Sequence, residues 1–318
     1  MSSNPVGGTT HFVAPVKQDQ VVVDAVRVNE KKSNLWLDSW RDLRRRPLFW
    51  ISLAFALLVV IMAVAPMLFT QVGTSGGACQ LANSNGGPIE GHPLGFTRQG
   101  CDIWARLVWG TRTSMVVGLL ATIIGTVIGV IMGALAAFYG GFVDSLLSRI
   151  GDIFFTIPYI VAAIVVMTVM GAEFRNELTL AFAIGGFSWA STARIVRAEV
   201  LRVKQSDFVM ASISLGLSRF KTLLVHVLPN AMAPVIVVST ISLGHAIVAE
   251  ATLSFLGVGL GGGVVSWGAD ISNAQTQIRT APMALFWPSL ALTVAVLAFI
   301  TLGELLRDAV DPKSRAQR

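Results

Sequence analysis

Residues 47–70 read PLFWISLAFALLVVIMAVAPMLFT, twenty-four positions without a single Asp, Glu, Lys or Arg. A helix rises ~1.5 Å per residue, so a run of this length reaches across the ~30 Å hydrocarbon core of a bilayer. Five more uncharged stretches follow, at 114–138, 153–172, 178–193, 231–249 and 284–303. Of the 318 residues 53% are apolar and 13% charged, and the mean hydropathy is +0.68, more than a soluble chain of this size can bury. The expected fold is an all-α integral membrane protein with six transmembrane helices.

The doubtful stretch is 178–193, sixteen residues interrupted by Gly185, Gly186, Ser188 and Ser191, which is short enough for a re-entrant segment. Charge decides the count. With six spans and the N-terminus inside, the inner segments hold 19 of the 24 Lys and Arg: eight in 1–46, Arg149, six in 194–230 and four after Gly303. Arg98, Arg106, Arg112, Arg175 and Arg279 stay outside. Deleting the fourth span would move the six basic residues of 194–230 outward, against the positive-inside bias. The expected organisation is therefore a cytoplasmic tail 1–46, a first span 47–70, an extracytoplasmic loop 71–113, a five-helix core 114–303 with a cytoplasmic loop 194–230, and a cytoplasmic tail 304–318. Ala63-Val64-Ala65 has the small-residue form of an export-signal cleavage site, but Pro66 follows it and so long a leader is not expected.

The net charge of +6 needs no nucleic-acid partner, because basic residues gather on the inner side of membrane proteins. His11, His92, His226 and His245 are scattered and the two cysteines have no zinc-site spacing, so no metal is assigned. GxxxxGK[ST] and HExxH are absent, and Gly257-Val-Gly259-Leu-Gly-Gly262 reads as a loop after an apolar helix, not a nucleotide site. No catalytic residue and no cofactor is expected in this chain. Cys79 and Cys101 fall in one outer loop, where a disulfide can persist, and are expected to be bonded. Gly118, Gly125, Gly129 and Gly133 form a small-residue stripe at spacings of seven and four, which points to a close helix contact either within the chain or with another subunit. His245 and Glu250 are the titratable groups near the membrane interior of the fifth span; each is a candidate path residue, and Glu250 has the alternative of standing in interfacial water.

Residues 205–230, QSDFVMASISLGLSRFKTLLVHVLPN, carry the clearest inner signal. Asp207 can cap a helix, Phe208, Ala211, Ser212 and Leu215 share a face, Gly216 can supply the left-handed stop, and Ser218 can cap a second helix that begins at Arg219. A helix of about nine residues is too short to persist alone in water, where ~12 to 15 are marginal. It needs a surface, either on the chain's own spans or on a partner.

This loop resembles the EAA loop of binding-protein-dependent ABC importers, with Ala211, Gly216 and His226-Val-Leu-Pro229-Asn230 in register. His92-Pro-Leu-Gly95, Gly100-x-Asp102, Gly110-x-Arg112-x-Ser114, Glu250-Ala-Thr-Leu-Ser-Phe-Leu-Gly257 and Leu305-Leu-Arg307-Asp308-Ala-Val-Asp311-Pro312 resemble the C-type permease subunits of dipeptide and oligopeptide importers. The sequence departs from the pattern where Met210 replaces the loop's glutamate, Ser212 its second alanine, and Cys101 the usual arginine before Asp102. The resemblance implies a type I ABC importer permease fold in a bacterial inner membrane. It also implies a second, non-identical permease subunit, two cytoplasmic ATPase subunits or domains that bind ATP and Mg2+, and an extracytoplasmic substrate-binding protein. Residues 207–215, with Gly216 and Arg219, would be the ATPase-coupling element. Peptides are the implied substrate; relatives of this kind also carry nickel complexes or opines. A stand-alone secondary transporter, the reading from another class, should show interrupted helices and buried charges in both halves, which this sequence lacks.

The topology is tested by labelling. Ser84→Cys should react with an impermeant thiol reagent on intact cells and Ser206→Cys only after permeabilisation; outside labelling of position 206 would overturn the arrangement.

Overall fold

The computed structural model describes residues 35–74 and 78–310; the parts of the two tails at 1–34 and 311–318, with His11, Asp311 and Pro312, lie outside the described residues. The described residues form helices without a named strand, and α1 (Leu35–Leu43) leads into α2 (Pro47–Val64). The apolar run to Thr70 is not helical throughout. Pro66 has no N–H and biases its predecessor away from helical angles, so Ala65 sits at φ −129°, ψ 64° and a 3-10 turn, Pro66–Leu68, follows.

Helix α3 (Ile103–Tyr139) is 37 residues long and starts eleven positions before the expected second span, because Arg106 and Arg112 interrupt the apolar pattern without interrupting the helix. Asp102 caps it, accepting from Trp104 N at 3.0 Å. The expected third span is broken. Helices α4 (Gly141–Thr156) and α5 (Tyr159–Met170) meet at Pro158 with a bend of 81°. Helix α6 (Glu177–Lys204) is continuous over 28 residues, long enough to cross, and contains no re-entrant turn. Two short helices, α7 (Asp207–Ser214) and α8 (Arg219–Thr222), lead through a π turn at Leu223–Val227 into α9 (Leu228–Phe255). Pro229 explains the π turn, since it leaves the carbonyl four residues back without its usual donor and crowds it. Helix α10 (Trp267–Ala274) and helix α11 (Pro282–Val310) complete the bundle.

Four segments are long and apolar enough to cross by length and composition: α2, α3, the continuous helical stretch Arg219–Phe255 and α11; the bent α4–α5 pair makes a fifth. Helix α6 has the length to cross but is less apolar than these, and the basic residues of 194–230 are the reason it is expected to be the sixth span. Its small and hydroxyl residues serve two purposes: Gly185 and Thr192 meet α3, while Ser188 and Ser191 line a cavity. Gly125, Gly129 and Gly133 of α3 lie against α6: a Cβ at Gly125 would come within 3.0 Å of Ser188 Oγ, one at Gly129 within 2.8 Å of Thr192 Cβ, and one at Gly133 would collide with the Ala193 carbonyl. Gly185 returns the contact against Ala121. Gly118 turns to α9 instead, where a Cβ would come within 2.7 Å of Ile247 Cγ1. The stripe is thus an internal contact, with three glycines on α6 and one on α9, and it fixes helix pairs within this chain.

Gly129→Leu inserts four carbons into this seam and should lower stability by at least ~1–3 kcal/mol. Gly186→Ala, on the same α6 helix where a Cβ meets nothing within 4 Å, should be neutral or slightly stabilising. Thermal unfolding of the two variants in detergent checks this, and an unaltered Gly129→Leu transition would contradict it.

Candidate functional site

Helix α7 sits at the end of the bundle on a bed built from three helix ends. Val209, fully buried, packs in a cluster with Ala134, Phe138, Val200, Val203 and Leu223. A turn of ~100° per residue places Val209 and Ser212 side by side, and Ser212 is the other buried residue of the helix. The expected face of Phe208, Ala211, Ser212 and Leu215 therefore divides: Ser212 turns inward, while Phe208, Ala211 and Leu215 stand exposed, Leu215 at 82%. Met210 is exposed too. The N-cap is Ser206, not Asp207, and makes no side-chain cap bond; Asp207 is the first helical residue, where its charge complements the helix dipole.

Gly216 has φ +87° and ends α7, with its N–H donating to Ile213 O at 3.0 Å and the next N–H, of Leu217, to Ser212 O at 3.2 Å. Arg219 opens α8 exposed, and Ser218 caps that helix, accepting from Lys221 N at 3.4 Å. Lys204, just before α7, donates from Nζ to Phe138 O at 2.6 Å, tying the end of α6 to the carbonyls that close α3.

Inside the bundle a cavity of about 300 Å³ opens between α3, the α4–α5 elbow, α6 and α9. Thr122, Thr126, Ser188, Ser191 and Ser242 contribute hydroxyls to its wall, and His245, exposed, stands among them. No Asp, Glu, Lys or Arg lines it. Thr126 and Ser239 share a hydrogen bond of 3.0 Å that joins α3 to α9, and Thr122 donates to Gly118 O at 2.8 Å within α3. Near the elbow Arg194 lies over the Phe155 ring, 3.7 Å from its centroid, and donates to Asp152 at 2.9 Å. The sequence reading placed His245 on the path but none of these hydroxyl residues, and took Ser188 and Ser191 only as interruptions of the fourth span. The signal was present in the four-residue spacing of Thr122 and Thr126 on an otherwise apolar helix.

Glu250 is not on this wall. It is fully buried, accepting from Ser114 Oγ at 2.8 Å and Ser254 Oγ at 2.9 Å, and so is neither a path residue in this conformation nor a group in interfacial water. Ser114 also lies 3.4 Å from Trp267 N, and Trp267 donates from Nε1 to Leu107 O at 3.0 Å. Alongside, Arg106 of α3 forms a buried ion pair with Asp270 of α10. Burial pushes the Asp270 carboxyl up, and the Arg106 guanidinium opposes that rise. These groups join α3, α9 and α10 into a polar knot that the sequence reading missed.

Cys79 and Cys101 are joined by a disulfide, S–S 2.08 Å, in the segment before α3. Gly100, at φ +70°, brings its backbone against the Gln80 carbonyl so closely that no Cβ fits, and Gln80 N donates to Gly100 O at 3.1 Å. His92 Nδ1 lies 3.2 Å from Asp102 Oδ2, so the motif residues of this segment meet at the start of α3.

Residues 125–316 match the model of the binding-protein-dependent transport system inner membrane component, and residues 34–76 match the N-terminal transmembrane domain of oligopeptide transport permease C. The chain belongs to the binding-protein-dependent transport permease family. This permease is 33% identical over 292 residues to the oligopeptide transport system permease protein OppC of Bacillus subtilis, covering 92% of this chain and 94% of that one. It is 32% identical to the dipeptide permease protein DppC of Alkalihalophilus pseudofirmus, covering 88% and 91%. With the glutathione permease protein GsiD of Escherichia coli it shares 35% identity, covering 87% and 90%. A solved inward-facing structure of the MetNI methionine ABC transporter is similar at a TM-score of 0.45 and 22% identity, covering 67% of this chain and 96% of that one. The permease is a multi-pass membrane protein.

Glu250→Ala should leave two buried hydroxyls without an acceptor and destabilise the permease by about 3 kcal/mol, with Glu250→Gln losing less. Thermal unfolding in detergent checks the order; wild-type stability in Glu250→Ala would return Glu250 to the list of path candidates.

Proposed function

We propose that this permease is one of two unlike membrane subunits of an ATP-driven importer for short peptides, with both termini in the cytoplasm. An extracytoplasmic binding protein would deliver the peptide, and two ATPase subunits or domains, holding ATP and Mg2+, would drive the cycle from inside. No cofactor is assigned to this chain.

The observation that carries the proposal is the two-faced α7. Its inner face is seated on the ends of α3, α6 and the α8–α9 segment, while its outer face presents Phe208, Met210 and Leu215 to whatever docks. A displacement of α7 is therefore felt by the helices that wall the cavity. Met210 puts a thioether where the related loops have a carboxylate, so docking here would rest on apolar contact, without a salt link at that position.

The peptide reading is supported by two further points. The relatives at 32–35% identity are oligopeptide, dipeptide and glutathione permeases. The cavity also offers hydroxyls and an imidazole but no fixed charge, a wall suited to backbone amides of varied sequence. It is open along one side, where a second permease subunit would supply the remaining wall.

Gly216→Val should strain the exit of α7 by ~1–2 kcal/mol and weaken ATPase association roughly tenfold without affecting membrane insertion. Met210→Glu should be tolerated. Copurification and substrate-stimulated ATP hydrolysis of the assembled complex check both, and wild-type values for Gly216→Val would remove the coupling role from α7.

A further inference from the structure

The turn between α1 and α2 brings basic and aromatic residues together. Only Arg44, Arg45 and Arg46 separate the two helices. Arg46 is committed within the chain: it pairs with Asp42 at 2.7 Å and with Asp308 of α11 at 3.3 Å, while Ser39 Oγ donates to Ala309 O at 2.9 Å. These bonds fasten α1 to the end of α11. Arg44 and Arg45 are different: both side chains are exposed, and among the described residues neither forms an ion pair.

Three aromatic rings stand beside them. Trp40, Phe49 and Trp50 pack edge to face, with centroids 5.5 to 6.4 Å apart, and Phe49 is buried while the two tryptophans are about half exposed. Trp50 donates from Nε1 to Arg44 O at 3.0 Å, so the indole holds the turn that carries the two exposed guanidinium groups. Trp50 lies in the first turn of a membrane-crossing helix, and exposed tryptophan at such a position marks the headgroup level of the bilayer. The first turn of α2 has no acidic residue and no side-chain cap, so its positive dipole end adds to the same field.

We propose that this turn binds the phosphate headgroup of an anionic phospholipid, with Arg44 and Arg45 as the phosphate ligands and Trp40 and Trp50 packed against the glycerol and upper acyl region. The charge is complementary: two guanidinium groups with no counter-ion among the described residues are placed where a lipid phosphate would lie. The site requires only that α2 crosses the bilayer and does not depend on the transported substrate. Because Arg46 and Ser39 bind the same turn to α11, an occupied site braces α1, α2 and α11 together.

Native mass spectrometry of the full-length chain, released from detergent with phosphatidylglycerol, phosphatidylcholine or inorganic phosphate added, tests the proposal. Phosphatidylglycerol should be retained, phosphatidylcholine much less, and inorganic phosphate should not compete. R44Q/R45Q should weaken phosphatidylglycerol retention roughly thirtyfold, and R44K/R45K should keep most of it. R98Q/R279Q removes the same charge elsewhere and should bind as wild type; the R44K/R45K protein shows that the turn still folds. Undiminished retention by R44Q/R45Q, an equal loss in R98Q/R279Q, or displacement by inorganic phosphate alone would overturn it.

Discussion

The close seam between α3 and α6 is the constraint on which the rest of this permease depends. Lipid gives two helices no hydrophobic reason to associate, so the pair is held by dispersion contact and shape, and both improve as the backbones approach. Gly125, Gly129 and Gly133 permit that approach, and Gly185 reciprocates from the other side. The consequences run the length of the bundle. The seam sets one corner of the hydroxyl-lined cavity, and its far end forms part of the bed under Val209 of α7.

A second constraint is the disposal of polar groups away from lipid. Glu250, Ser114 and Ser254 satisfy one another in the interior, as do Arg106 and Asp270, and each set spans two or more helices. Such sets fix which helices are neighbours, because separating them would expose unpaired donors and a charge. The cavity hydroxyls are of another kind. Carried on α3, α6 and α9, they are bonded within their own helix, across one helix pair at Thr126–Ser239, or left to line open space, and they leave a wall that can contact a passing solute without holding it by charge. Rigid helix ends under α7 and a neutral wall above them are the two properties that a driven path needs.

Much of this was legible in the sequence, and the failures have physical causes. Uncharged length located the four long apolar helices and the bent pair, and the basic residues of 194–230 are the reason α6 is expected to cross as well. Composition could not show that α3 extends outward through Arg106 and Arg112, since charge ends an apolar window but not a helix. The 81° elbow at Pro158 lay inside an unbroken apolar run, where only the proline marked it. Gly216 and Ser218 were read from local rules and the structure has them in those roles, whereas Asp207 gave way to Ser206 at the cap. Glu250 was misplaced because burial by Ser114, 136 positions away, leaves no local trace. The same limit hid the hydroxyl wall, which only the packing of three helices assembles.

The central proposal is that α7 transmits force through one face and receives it through the other. Single cysteines at Leu215 and Val209, introduced into a chain lacking Cys79 and Cys101, can be cross-linked with a short thiol reagent to the ATPase partner in the assembled, membrane-embedded complex. Position 215 should cross-link, and its yield should change when ATP is bound, while position 209 should remain unreactive beneath the helix. Cross-linking from 209, or none from 215 in any nucleotide state, would contradict the account.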